Sequence, residues 1–166
     1  MTKLLCPTRG GEESYKNQDA AIALAKEKGC DILFLYVANI DFLLYRRSHR
    51  TMDFVQDNMD EMGEFLLTMA QERAEKENIA AITTVKHGIF SNVLLETITE
   101  EEICALFLGS AVGTRGHTTP KYMQNLVSLI QEKTGLEIFI ANSGEIIENH
   151  AASQQPPDAE PMGNEE

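Results

Sequence analysis

The sequence predicts an α/β protein, a three-layer α/β/α sandwich built on an open parallel sheet of five strands. Three observations carry this prediction. Segments typical of strands and of helices alternate strictly, two of the strand segments are continuously apolar, and a glycine follows two of the helical segments. The length of 166 residues fits one domain.

Five short segments are typical of β-strands. Two of them, around Ile32–Val37 and Cys104–Leu108, are apolar throughout, as expected for strands that are buried on both faces. In chain order the five predicted strands are Lys3–Thr8, Asp31–Ala38, Ala81–Lys86, Ile103–Leu108 and Glu137–Ala141.

The segments between the strands are typical of helices, at residues 12–28, 51–77, 91–101 and 120–134. The first is followed by Gly29 and the last by Gly135, and glycine favours the end of a helix. The last begins at Pro120, and proline favours the first turn. In the second, apolar residues recur at steps of three and four, which marks one helix face. Its methionines are predicted to pack in the core, although an exposed stripe would mark a partner site. They are Met52, Met59, Met62 and Met69.

The net charge of −12 disfavours nucleic acid and anionic membrane surfaces as partners. Residues 143–166 carry six acids and no Lys or Arg, so they supply half of this charge. They are predicted to form an acidic, mostly disordered tail after a domain of residues 1–142. Neither a bilayer-spanning run nor a secretory signal is recognisable, so the expected location is cytoplasmic. The histidines and cysteines lack metal-binding spacing, so no metal is predicted.

Arginines concentrate in the loops that follow predicted strands one, two and four. Parallel α/β sheets bind ligands at this edge, where the strand order reverses. Glycines beside Arg9 and Arg115 allow backbone N–H groups to approach an anion. We therefore expect an anion site with a flexible outer rim of Arg46, Arg47 and Arg50, the alternative being loop arginines that pair with surface acids. Five of the six arginines fall in these loops: Arg9, Arg46, Arg47, Arg50 and Arg115.

Over residues 3–141 the chain resembles a universal stress protein domain. The resemblance rests on the loop Cys6–Ser14, the strand Asp31–Val37, and the motifs Leu94–Glu96 and Leu108–Ser110. It implies an adenine nucleotide alpha hydrolase-like sheet of order 3-2-1-4-5 and a role in stress response. It further implies AMP or ATP bound between strands one and four, and a homodimer that pairs through the last strand, residues 136–141.

The ligand-binding residues implied by this resemblance and by the anion argument are Thr8, Arg9, Gly10, Gly11, Val37, Gly109, Ser110, Gly113, Thr114, Arg115 and Gly116. The family pattern Gly-x2-Gly-x9-Gly-Ser/Thr is absent, because three residues separate Gly109 from Gly113. Gly113 and Gly116 have the first spacing, but Leu126-Val127 stands where the pattern requires Gly-Ser/Thr. Arg9 stands where the family has an aspartate. We therefore expect a ligand smaller or more anionic than Mg-ATP.

A second function stays open, that of a homodimeric interaction protein in the stress response that binds no nucleotide. The sequence brings no nucleophile and general base together at a recognisable spacing. It therefore indicates a binding protein, with a weak ATPase activity at most.

Overall fold

Strands and helices alternate along the chain as the sequence predicts. The structure is a computed structural model that describes residues 1–38, 49–110 and 119–153, with the backbone alone for residues 49–52. The elements are, in chain order, β1 (Lys3–Pro7), α1 (Glu12–Lys28), β2 (Asp31–Ala38), α2 (His49–Lys76), β3 (Ala81–His87), α3 (Phe90–Glu100), β4 (Ile103–Gly109), α4 (Pro120–Thr134), β5 (Glu137–Asn142) and β6 (Glu145–His150).

The strands form one sheet in the order β3-β2-β1-β4-β5-β6. The pairs among β1 to β5 are parallel, and β6 is antiparallel to β5. The α/β class and the order 3-2-1-4-5 are therefore confirmed, while the predicted count of five strands is corrected to six. Because successive strand residues point to opposite faces, Leu4 packs with α1 and α2 whereas Leu5 packs with α3 and α4.

The helix ends follow the local signals in the sequence. Gly29 and Gly135 both have φ of 66°, a left-handed conformation that glycine adopts without steric cost. At the start of α4, Thr119 Oγ1 accepts a hydrogen bond from the backbone N–H of Tyr122 at 3.2 Å, and Pro120 occupies the first turn. None of the described helices is both long enough and apolar enough to cross a membrane.

A hairpin adds β6 to the sheet and corrects two predictions. Residues 145–150, which the sequence analysis placed in the tail, pair with β5. The hairpin turns at Ser143 and Gly144, whose φ values of 48° and 86° suit a tight two-residue turn. The prediction that residues 136–141 form the sheet edge is wrong, because β6 covers the outer side of β5. Residues 154–166 lie outside the described ranges, so their assignment to a tail stays a prediction.

The outer face of α2 is exposed and apolar, which corrects the prediction for its methionines. Met62 is 59% exposed, and it lies with Phe54 at 69% and Phe65 at 65%. Met59 and Met69 are half-buried, and the side chain of Met52 lies outside the described residues. The helix buries its opposite face instead, through Leu66, Leu67, Ala70 and Ala74.

Candidate functional site

The predicted site lies at the carboxyl ends of β1 and β4. These strands are neighbours in the sheet, yet β1 connects onward to β2 on one side and β4 to β5 on the other. The sheet therefore reverses its order between them, which is where open α/β sheets form a crevice for ligands. The loop of residues 8–11 leaves β1 at this point and leads directly into α1.

A buried pair of polar side chains holds the first residue of that loop. Gln18 of α1 is 1% exposed, and its Nε2 donates a hydrogen bond to Thr8 Oγ1 at 2.5 Å. The Thr8 hydroxyl donates to the carbonyl oxygen of Arg9 at 3.3 Å, and the backbone N–H of Thr8 donates to the carbonyl oxygen of Leu35 at 2.8 Å. Gln18 Oε1 has no hydrogen-bond partner among the described residues. A buried amide oxygen without a partner costs free energy of folding.

Arg9 is exposed in the β1–α1 loop and makes no salt bridge with any described residue. Its charge acts on two tyrosines. Burial raises the pKa of Tyr36 and of Tyr122, and the guanidinium of Arg9 opposes that rise in both. Tyr36 packs with the core under α1 and α2, and Tyr122 with the core under α3 and α4. The charge of Arg9 therefore reaches two phenols that belong to opposite faces of the sheet.

The N-terminus of α1 leaves backbone donors available beside Arg9. Its N-cap residue is Gly11, with φ of 111°, and no side chain caps the first turn. The first N–H groups of a helix lack partners within the helix, and they carry partial positive charge. Glu12 and Glu13 lie in the same turn, and Glu12 pairs with Lys16 at 3.6 Å. The turn thus combines anion-binding amides with two carboxylates that repel a highly charged guest.

Two glycines of the site lie close to side chains of neighbouring elements. A Cβ on Gly10 would lie 3.3 Å from a methyl carbon of Leu66 in α2. A Cβ on Gly109 would lie 3.1 Å from the side-chain nitrogen of Asn17. Asn17 Oδ1 also accepts a hydrogen bond from the backbone N–H of Gly144 at 2.9 Å, so it ties α1 to the β5–β6 hairpin. The space beside Gly109 is therefore occupied by the Asn17 side chain.

A second polar cluster lies beside Tyr36, at the ends of β2 and β3. His87 Nε2 lies 2.6 Å from Asp60 Oδ1 of α2. The charge of Asp60 contributes to the raised pKa of Tyr36. A Cβ on Gly63 would overlap the Tyr36 ring, so glycine at this position of α2 sets where the ring lies. No group of three or more His, Cys, Asp and Glu side chains within the described ranges is arranged to hold a metal ion.

A groove of about 600 Å³ opens beside Ser110, between α4 and the β5–β6 hairpin. Its walls include Met123, Val127, Ile140 and Ile147. The backbone N–H of Ser110 donates to the carbonyl oxygen of Ala141 at 2.7 Å, which fixes the point where the chain leaves β4. Ser110 is the residue through which this groove adjoins the predicted crevice.

The structure brings together part of the predicted site. Thr8, Arg9, Gly10 and Gly11 form the β1–α1 loop, and Gly109 and Ser110 end the neighbouring β4. Val37 is half-buried near the end of β2. Outside the described residues lie Gly113, Thr114, Arg115 and Gly116, together with Arg46 and Arg47. Arg50 lies in the first turn of α2, so its predicted placement in a loop is wrong.

Sequence reasoning missed three residues of this site: Gln18, Tyr36 and Tyr122. Gln18 had a readable signal, because it falls three and four residues before the buried Ala21 and Ile22, where the helix pattern calls for an apolar residue. Tyr36 had a weaker signal, because it is a phenol within an otherwise apolar strand, and Tyr122 had no comparable signal. That the charge of Arg9 reaches both rings depends on the approach of elements that are distant in sequence.

Comparisons with known proteins find the fold and no close relative. No family model matches the chain, and no curated protein matches it. Among solved structures, a universal stress family protein from Burkholderia pseudomallei is similar at a TM-score of 0.66 and 15% identity, covering 84% of this chain and 95% of that one.

Two similar structures contain a nucleotide. The universal stress protein from Archaeoglobus fulgidus in complex with dAMP matches at a TM-score of 0.54 and 10% identity, covering 84% of this chain and 96% of that one. A universal stress protein in complex with cAMP matches at 0.56 and 14% identity, covering 86% of this chain and 97% of that one.

Proposed function

This chain has the fold of the universal stress proteins, and we propose that it is a protein of that type whose task is to bind a nucleoside monophosphate, or a phosphate ester of similar size. The ligand lies in the crevice between β1 and β4. The observation that carries the proposal is Arg9, a guanidinium without a described carboxylate partner, beside the uncapped start of α1 at the reversal of strand order. The dAMP and cAMP complexes of similar folds support the class of ligand.

The phosphate group is the part of the ligand that Arg9 recognises. A guanidinium donates two parallel hydrogen bonds to a phosphate, and the first N–H groups of α1 add further donors. Glu12 and Glu13 limit how much negative charge the same turn tolerates. A single phosphate therefore suits the site better than a triphosphate, which would bring more charge than one arginine offsets.

The nucleoside part of the ligand meets aromatic walls. Tyr36 and Tyr122 are both half-buried and both lie within reach of the charge of Arg9. Aromatic rings contribute large contact areas at little conformational cost, and they pair with the faces of bases. Gln18 acts as a positioning residue, because its hydrogen bond to Thr8 fixes the turn that carries Arg9.

Calorimetry on the purified full chain tests the phosphate site. We expect AMP and cAMP to bind the wild type, and Arg9→Ala to weaken binding at least tenfold, or about 1.4 kcal/mol, since charged hydrogen bonds contribute ~1.5–3 kcal/mol. Arg9→Lys should lie between the two, because lysine keeps the charge and loses the planar fork. ATP with and without Mg²⁺ should bind more weakly than AMP.

Lys133→Ala is the matched control, because it removes an exposed positive charge from the last turn of α4. It should bind AMP like the wild type. Gln18→Met tests the positioning role: it removes a buried unpaired oxygen, so stability should hold or rise while affinity falls. Equal affinity of wild type and Arg9→Ala, or no binding of either nucleotide, would contradict the proposal.

A second candidate function is favoured by the exposed face of α2. Met62 and Phe65 follow Phe54 by eight and eleven residues, spacings that place the three side chains on one side of the helix. Between residues 53 and 72 this helix carries six acids and no Lys or Arg. The acids disfavour a second copy of the same face and an anionic membrane. This face therefore suits a basic amphipathic helix of a partner protein.

The partner surface is tested with a synthetic amphipathic peptide of leucine and lysine at helical spacing. We expect the double variant Phe54→Ser/Phe65→Ser to bind the labelled peptide at least tenfold more weakly than the wild type, as measured by fluorescence anisotropy. Ile146→Ser, which alters an exposed apolar residue on β6, is the control and should change nothing. Equal binding by the double variant, or a dimer that this variant dissociates, would rule out this partner.

A further inference from the structure

Two cysteine thiols meet at the amino edge of the sheet, far in the fold from the β1–β4 crevice. Sγ of Cys104 lies 3.4 Å from Sγ of Cys30, although the two residues are 74 positions apart in sequence. All three cysteines of the chain are free thiols. The third, Cys6, is buried and forms no such pair. The sulfur atoms of Cys30 and Cys104 are thus in van der Waals contact, and Cys6 offers a buried cysteine outside the pair for comparison.

Irregular backbone places both thiols. Cys30 follows the left-handed Gly29, and its backbone N–H donates to the carbonyl oxygen of Ala25. Cys104 is skipped in the pairing of β1 with β4, because Lys3 aligns with Ile103 and Leu4 with Ala105. An extra residue of this kind redirects a side chain and loosens the local ladder. Neither cysteine is therefore held in the regular pairing of β1 with its neighbours.

The surroundings give the two thiols different reactivities. Cys30 is buried, and burial, with Cys104 beside it, raises the pKa of Cys30 to about 11. Cys104 is half-buried, so a small oxidant reaches it first. The ammonium of Lys28 lies near enough that its charge favours the thiolate form of Cys30 in part. This arrangement assigns Cys104 as the thiol that reacts with the oxidant first and Cys30 as the thiol that closes the bond.

We propose that Cys30 and Cys104 are a peroxide-sensitive pair that closes to a reversible disulfide. The Cys104 thiolate attacks one oxygen of the peroxide, so an S–O bond forms, the O–O bond breaks, and the departing hydroxide takes up a proton. The Cys30 sulfur then attacks the resulting sulfenic acid, so the S–S bond forms, the S–O bond breaks, and water leaves with the Cys30 proton. The two thiols lose two electrons and the peroxide gains them.

The bond should be easy to reduce. A disulfide requires the sulfurs to approach to about 2.0 Å. Because β1 runs between β2 and β4, closing the bond has to draw the two backbones together over the first residues of β1. Disulfides under such tension are reduced readily and serve as labile or regulatory bonds. Reduced glutathione should therefore reopen it.

The test is a thiol count after exposure of the full chain to hydrogen peroxide, followed by denaturation. We expect the wild type to fall from three free thiols to one, to lose two hydrogens in intact mass, and to yield a linked peptide pair containing Cys30 and Cys104. Reduced glutathione should restore three thiols. Cys6→Ala should form the same bond, whereas Cys30→Ala should stop at a sulfenic acid on Cys104 that dimedone traps.

Three results would overturn the proposal. The first is a wild type that keeps all three thiols under peroxide treatment that oxidises dithiothreitol. The second is a bond that involves Cys6 or joins two chains. The third is a bond that glutathione leaves intact. Peptide mapping of the wild type answers the question even if a cysteine variant fails to fold.

Discussion

Deleting residues 143–166 is expected to make two truncated chains pair through β5. In the full chain, β6 satisfies the outer backbone groups of β5, from Ile138 to Asn142. Removing it leaves an apolar strand with unpaired N–H and C=O groups, and such an edge recruits another strand. We expect the full chain to elute as a monomer and the truncated chain as a dimer in size-exclusion chromatography with light scattering.

The same deletion should lower the stability of the isolated monomer. The hairpin's cross-strand hydrogen bonds contribute ~1 kcal/mol each, so we expect a loss of about 3 kcal/mol in the free energy of unfolding at low protein concentration. Since pairing replaces the lost bonds, the apparent stability should rise with concentration in the truncated chain. Deleting residues 154–166 alone keeps β6 and is the control, which should match the full chain. A monomeric truncated chain would show that β5 does not need cover.

Phe107→Ala is expected to lower the free energy of unfolding by about 4 kcal/mol, as measured by chemical denaturation. Phe107 is 1% exposed in β4, and it lies opposite Phe139 of β5. Its ring fills the core beneath α1 and α2, which cannot collapse fully around the cavity because strands on both sides hold β4 in place.

Phe54→Ala is the matched control, because the same atoms are removed from a ring that is 69% exposed. Its effect on stability should stay within about 0.5 kcal/mol. A large loss in Phe54→Ala would mean that the outer face of α2 is covered in solution. A small loss in Phe107→Ala would mean that the two cores are not arranged as described.

The outline of the fold was predictable because its signals are local. Apolar runs such as Ile32–Val37 identify buried strands, and Gly29, Pro120 and Gly135 mark helix ends through backbone geometry that depends on one or two residues. The strand β6 was missed although Ser143-Gly144 is a turn signal, because its six residues are mostly polar and fall in an acidic segment. A short edge strand has too few residues to show a clear alternation of apolar and polar positions. Its pairing with the neighbouring strand therefore determines whether it forms.

The position of the Arg9 loop in the fold was predictable, and the residues around that loop were predictable only in part. The Arg9 loop follows from the topology of parallel sheets, which the alternation of elements implies. Gly109 was predicted to bind the ligand, whereas the Asn17 side chain already lies against it. Met62 was predicted to lie in the core, but it faces outward because the helix pattern fixes the spacing of a face and not which face is buried.

The sequence by itself determined the approximate positions of β1 to β5 and of the four described helices, the α/β class, and the edge of the sheet that carries Arg9. These follow from burial periodicity and from the conformational limits of glycine and proline, which act over a few residues. Only the tertiary structure decided that β6 covers β5, that Gln18 holds Thr8, and that Cys30 meets Cys104. Each of those contacts joins residues that only the assembled sheet brings together. The sequence around either residue therefore does not indicate the contact.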